Sequence, residues 1–184
     1  IVGERRSTGD AEGEIIAEAD ASALTREAVE AVLSQFRGDI LQVPPMHSAL
    51  KRDGKPLYEL ARRGLEVERE ARPVTISRLE LESFVPGERA EVSLLVHCSK
   101  GTYIRSLAED IGEALGLGGY VAALRRLQAG PFEESQALSF EQLQPLRDRE
   151  AFDELDTLLL PLDSALQHIP AVSLSDTTAD FLVQ

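Results

Sequence analysis

Tryptophan is absent from the 184-residue chain, and cysteine and methionine occur once each. A single cysteine, Cys98, excludes an intrachain disulfide framework and any cysteine-rich zinc site. Histidine is nearly as scarce: His47, His97 and His168 stand far apart, and none has ligand spacing to a second soft donor. No metal site is expected from this inventory. No apolar run reaches the roughly 18 residues of a membrane span, and no basic-then-apolar leader opens the chain. No membrane association is expected, and a reducing cytoplasm is the default placement.

What is present is ordinary globular material, 43% hydrophobic and 28% charged. Nineteen Lys and Arg face 32 Asp and Glu, a net charge of −13, which superficially argues against a nucleic-acid partner. The distribution says otherwise. Residues 1–50 carry 4 basic and 9 acidic side chains, residues 51–126 carry 13 and 12, and residues 127–184 carry 2 and 11. The middle of the chain can therefore present a local basic surface, and a phosphate backbone responds to the local field. Both ends read as cut. Ile1-Val2-Gly3 resembles the tail of a strand, and Asp180 to Gln184 is apolar with no polar tail after it.

A polar stretch from Glu4 to Glu12 precedes a short strand at 14–19, so Asp10 falls in a strand-to-strand loop. Thr25 caps a helix through Phe36 whose Val29, Val32, Leu33 and Phe36 share a face, with Gly38 as its stop. Pro44-Pro45 breaks regular structure, Asp53-Gly54 marks a turn, and Pro56 opens a short helix from Leu57 to Arg63. Val74–Phe84 and Ala90–Cys98 form a hairpin around Pro86-Gly87, with Val92, Leu94, Val96 and Cys98 on one face. Ser99 or Thr102 caps the next helix, which buries Ile104, Leu107, Ala108, Ile111 and Leu115. Ser139 to Gln142 has capping-box form, and 152–159 is helical. From Ile169 the chain turns extended, as at the start of a second domain. Hairpins and helices without βαβ alternation indicate an α+β fold.

Several chemical readings fail. His97 and Cys98 are adjacent strand residues facing opposite ways, so they cannot form an intimate base–nucleophile pair. Ser99-Lys100-Gly101-Thr102 lacks the glycine spacing of a phosphate-binding loop. Lys51, Arg52, Lys55, Arg62, Arg63, Arg69 and Arg72 alternate with glutamates, and on pattern alone a solvated face is favoured over an RNA-contacting flap. Arg105 is more telling. It stands in the first turn of a helix, where the dipole disfavours a cation, so a carboxylate partner or an anionic ligand should compensate.

The run His97-Cys98-Ser99-Lys100-Gly101-Thr102-Tyr103-Ile104-Arg105 resembles the C-S-K-G-T-Y-I-R motif of TruB-type tRNA pseudouridine synthases. Other stretches agree in order: Asp10-Ala11-Glu12-Gly13 with the family's aspartate loop, Gln42 to Lys51 with its Q-x-P-P-x-[YF]-S-A-x-K stretch, Gly54 to Gly64, Ala71 to Val74, and Leu124-Arg125-Arg126-Leu127. His47 replaces a more usual aromatic residue. The family's nucleophilic aspartate lies in a G-H-T-G-x-L-D-P motif that these residues do not contain, and its active-site tyrosine is likewise absent.

The resemblance implies a pseudouridine synthase fold, a mostly antiparallel sheet flanked by helices. Residues 1–167 would be part of the catalytic domain, with a thumb-like insertion at about 48–76, and 168–184 would begin a C-terminal PUA-like domain. The implied reaction isomerises the T-loop uridine, U55, of tRNA to pseudouridine without a cofactor, after the base is flipped from its stack. Arg105 would hold the absent nucleophile, and Asp10 would be a second carboxylate on the same guanidinium. Tyr103 would contact the flipped base and Leu124 wall the pocket. Lys51, Arg52, Lys55, Arg62 and Arg63 would meet phosphates of the T-arm stem-loop. A monomer is expected. The competing readings are a catalytically incomplete RNA-binding fragment, a guide-RNA-dependent relative, and a structural fragment that binds a protein through its acidic last third.

Overall fold

The computed structural model describes residues 1–52, 54–167, 169–175 and 178. It divides the chain into two compact units, Ile1–Leu124 and Arg125–Gln184.

The first unit is built on three antiparallel strands in the order β3-β6-β7. Strand β3 is Gly38–Gln42, β6 is Arg72–Val85 and β7 is Glu91–Cys98. Two helices, α1 (Arg26–Leu33) and α3 (Ile104–Ala114), cover one face of this sheet. Val29 and Leu33 of α1, Leu107 and Ile111 of α3, and Ile76 and Leu79 of β6 are buried together. The expected inward row on β7, Val92, Leu94, Val96 and Cys98, joins them. Thr25 caps α1 as expected, its hydroxyl accepting from Ala28 N–H at 3.2 Å. The helix is shorter than its apolar spacing suggests, because its last residues, Ser34–Phe36, tighten into a 3-10 turn before Gly38 (φ 85°).

Strand β6 does not alternate simply. Val74 and Ile76 face inward, then Leu79 and Leu81, then Phe84. Each change of parity coincides with a register shift against β7, between Ile76 and Arg78 and again between Leu81 and Ser83. Each extra residue turns the following side chains onto the core side, which keeps a 14-residue strand apolar on one face.

A second hairpin, β1 (Glu4–Arg6) and β2 (Ile15–Glu18), carries the Asp10 loop. Glu4 is buried and accepts from Arg6 Nε at 2.6 Å and Arg89 Nε at 3.1 Å, tying this hairpin to the turn between β6 and β7. Between β3 and β6 the chain leaves the sheet. It forms a small ladder, β4 (Lys51–Arg52) with β5 (Lys55–Pro56), and then the short helix α2 (Leu57–Ala61). The last residues of the 48–76 segment, Arg72 to Ile76, belong to β6 and pair with β3.

Helix α3 ends against its own continuation. Gly112 lies where a Cβ would come within 2.3 Å of the Gly118 carbonyl carbon and the Gly119 nitrogen. Both neighbours are backbone and cannot move aside. Gly112→Ala is therefore expected to destabilise the protein by about 3 kcal/mol, seen as a lower urea midpoint with an unchanged slope. A midpoint equal to wild type would show that the 116–119 turn can yield.

The second unit opens with β8 (Gln128–Ala129) and β9 (Phe132–Glu133), joined through Gly130 (φ 60°). Helix α4 (Phe140–Asp148) follows with the expected capping box, Ser139 Oγ accepting from Gln142 N–H while Gln142 Oε1 accepts from Ser139 N–H. Helix α5 is Phe152–Thr157. Most of the 168–184 segment expected to open another domain lies outside the described residues. Among the described residues no helix is long and apolar enough to cross a membrane.

Candidate functional site

The Asp10 loop is closed by backbone bonds, Ser7 N–H to Glu14 O at 2.9 Å and Gly13 N–H to Asp10 O at 3.2 Å. Arg6 donates into the same loop, to the carbonyls of Ala11 and Gly13, each at 3.0 Å. A short parallel bridge joins Asp10 to Val121, with Ala11 N–H on Val121 O and Val121 N–H on Gly9 O. The aspartate is thus placed by the backbone on both sides of it.

Its carboxylate is fully engaged. Oδ1 accepts from the Thr8 hydroxyl at 2.6 Å and from Glu12 N–H at 3.2 Å, and Oδ2 accepts from Arg105 Nη1 at 3.0 Å. Burial alone would push the Asp10 carboxyl up, but the Thr8 and Glu12 hydrogen bonds and the Arg105 charge outweigh it. The net shift is downward, so Asp10 is ionised at neutral pH and the ion pair breaks only on acidification below the ordinary carboxylate range.

Arg105 is the second residue of α3, and the first turn of that helix holds no acidic residue. Asp10 supplies the compensation that its position against the dipole requires. Two carbonyls complete the cage: Thr8 O accepts from Nη1 at 3.3 Å, and His47 O accepts from Nη2 at 2.7 Å. Sequence reasoning missed both, because a backbone acceptor leaves no side-chain signature. Because His47 meets Arg105 through its backbone carbonyl, this contact does not depend on which side chain stands at position 47.

The expected cap of α3 is a correction. Neither Ser99 nor Thr102 caps the helix: Thr102 Oγ1 donates back to Ser99 O at 2.9 Å, and the residue at the cap position is Tyr103. The hydroxyl is spent on its own turn, which Gly101 (φ 85°) closes.

Of the remaining site candidates, Tyr103 is half-buried and stands two residues before Arg105, whereas Leu124 is 65% exposed. Lys51, Arg52 and Lys55 stand exposed on the β4–β5 ladder, and Arg62 and Arg63 are exposed just after α2. Arg52 donates to Glu68 O, and the Arg62 guanidinium lies 5.4 Å from the centre of the Tyr58 ring. Among the described residues none of these five cations hydrogen-bonds to Asp10 or Arg105. His97 faces outward with Nδ1 at 2.5 Å from Ser77 Oγ, while Cys98 lies with the core, so the two point apart as strand geometry requires. Among the described residues no group of three or more His, Cys, Asp or Glu side chains is placed to hold a metal ion.

Glu109, one turn after Arg105, sits against Gly9, where a Cβ would lie 3.0 Å from its carboxylate. Burial pushes its carboxyl up; Arg5 opposes the shift and the neighbouring Asp110 adds to it. A carboxyl raised in the folded state destabilises the fold when ionised, so the cost is present at neutral pH and disappears below the unfolded value. Glu109→Gln should raise Tm at pH 7 by about 1–3 °C, and the gain should vanish below about pH 4. A gain that persists in acid would assign it to packing.

Similarity to solved structures defines the class. The chain superposes on a chain of a Cbf5–Nop10–Gar1 complex with a TM-score of 0.67 and 26% identity, over 89% of this chain and 45% of that one. It superposes on a chain of an H/ACA RNP bound to a substrate RNA containing 2′-deoxyuridine with a TM-score of 0.54 and 25% identity, over 82% and 40%. The fold is that of the pseudouridine synthases. More narrowly, residues 1–104 match the TruB family pseudouridylate synthase N-terminal domain, and residues 105–167 match the tRNA pseudouridylate synthase B C-terminal domain. The chain belongs to the TruB family. Relatives named tRNA pseudouridine synthase B include one from Stutzerimonas stutzeri, 56% identical over 97% of this chain and 57% of its own length. Another, from Saccharophagus degradans, is 52% identical over 96% and 56%. The chain thus spans little more than half the length of the relatives it matches.

Proposed function

We propose that the complete protein is a tRNA pseudouridine synthase that isomerises the T-loop uridine, U55, to pseudouridine, acting as a monomer on the T-arm. The observation that carries this reading is the caged Arg105. Three of its N–H bonds go to Asp10, Thr8 O and His47 O, which leaves Nε–H and one Nη2 hydrogen without an acceptor among the described residues. A guanidinium so oriented can hold a second carboxylate, which in this reading is the nucleophilic aspartate contributed from outside these 184 residues.

The reaction balances without a cofactor. The flipped uridine loses its N-glycosidic bond, the base rotates, a carbon–carbon bond forms between ribose C1′ and C5, the C5 proton leaves and the freed N1 takes one up, so the product is an isomer of the substrate. Arg105 fixes the nucleophile, Asp10 fixes Arg105, and Tyr103 and Leu124 line the base. Residues 1–167 then belong to the catalytic domain, with the cationic segment as a thumb over the stem-loop. Relatives at 52–56% identity carry the name tRNA pseudouridine synthase B, against 26% for the Cbf5 complex, which supports a stand-alone tRNA enzyme over a guide-dependent one. The test is tritium release from T-arm RNA labelled at uridine C5. Stoichiometric release is expected, and binding without release would leave an RNA-binding fragment instead.

A further inference from the structure

The N-terminus of α3 carries Arg105 and Tyr103, yet no side chain of that helix caps it. The first N–H groups of a helix need acceptors, and a buried one left bare is costly. The acceptor comes from 61 residues away. Gln42, the last residue of β3, is 2% exposed, and its side-chain amide closes on the backbone of Tyr103 from both sides. Oε1 accepts from Tyr103 N–H at 2.8 Å, and Nε2 donates to Tyr103 O at 3.0 Å. This is the pairing of a strand neighbour, made by a side chain.

The next residues extend the clasp. Val43 O accepts from the buried Ser106 hydroxyl at 3.2 Å, and His47 O accepts from Arg105 Nη2. The segment from Gln42 to His47 therefore grips Tyr103, Arg105 and Ser106 in turn. It sets both the height and the rotation of the helix turn that aims Arg105 at Asp10. The site calls for a side chain with one accepting and one donating atom, and at neutral pH the glutamine amide supplies both without a charge in a place sealed from water.

We infer that Gln42 is a positioning residue for Arg105 and Tyr103, acting through the backbone of Tyr103 and touching neither substrate nor Arg105. This inference rests on the pseudouridine synthase reading for its kinetic part only. With Gln42→Ala the amide pair is lost, and in the complete protein kcat on T-arm RNA should fall about 10- to 100-fold. KM should stay within about twofold, because the cationic segment that binds phosphates is untouched. Gln42→Glu is the discriminating variant. A protonated carboxyl has the same accept-and-donate pattern as the amide, whereas an ionised one faces the Tyr103 carbonyl with negative charge. Its kcat should approach wild type near pH 5.5 and fall away from wild type toward about pH 8, since burial raises a carboxyl pKa. Gln42→Ala should show no such pH-dependent recovery.

Amide hydrogen exchange at Tyr103 gives a reading independent of turnover. Protection should be lost in Gln42→Ala and regained by Gln42→Glu at the acid end. Retained protection in Gln42→Ala, or lost protection with wild-type kcat, would overturn the positioning role. If wild-type protein turns over no RNA, the functional reading falls, while the exchange result still decides whether Gln42 holds this turn.

Discussion

In the complete protein, Arg105→Ala is expected to lower single-turnover release of C5 tritium from T-arm RNA about a thousandfold, with binding of the RNA little changed. The reason is the division of labour around the guanidinium. Its cage of Asp10, Thr8 O and His47 O is internal to the protein, and its remaining donors are those that would fix the nucleophile. Removing them frees a carboxylate to rotate and leaves Asp10 charged with no cation beside it. Arg105→Lys should recover little. A lysine ammonium has three donors at one point, and cannot span Asp10 and His47 O while reaching a further carboxylate. Rates within a few-fold of wild type for Arg105→Ala would remove the observation on which the functional reading stands.

The second large effect concerns affinity. Replacing Lys51, Arg52, Lys55, Arg62 and Arg63 together with glutamine should abolish most of the salt dependence of T-arm binding. Each phosphate contact contributes a slope of about −0.7 to −0.9 in log K against log salt, so five contacts give about −3.5 to −4.5. A fourfold rise in salt should then weaken wild-type binding by roughly 100-fold or more, and weaken binding of the variant far less. These side chains are exposed and lie outside the buried core, so the variant should keep its fold and Tm. Titration of fluorescently labelled stem-loop RNA at several salt concentrations makes the measurement. Unchanged slope in the variant would place the RNA on another surface, and would show that an acidic protein gains nothing from these five charges.

The elements that were legible in the sequence are those whose signal is local. The Thr25 cap, the Ser139–Gln142 capping box, the inward row of β7 and the Asp10 loop each rest on side chains a few residues apart. Strand β6 was legible as a strand but not in its facing. Its two bulges arise from pairing with β7, and a reading in strict alternation cannot place Ile76, Leu79 and Phe84 on one side. The Asp10–Arg105 pair emerged from the family resemblance and from a local oddity, a cation at a helix start. The rest of the cage did not, since carbonyl oxygens belong to every residue alike. Gln42 stood inside a recognised motif without a role, because its partner is a backbone unit far along the chain.

The cage around Arg105 also dictates when the site can exist. Its three closures join residues 95, 97 and 58 positions apart. Contacts so distant in sequence carry a large loop-closure entropy and form late in folding. During synthesis the aspartate loop and the Gln42–His47 clasp leave the ribosome well before the helix that they grip. A nascent chain stopped short of Arg105 therefore holds the Asp10 carboxylate without its ion-pair partner, and the site acquires its guanidinium only when nearly all of the first unit has emerged.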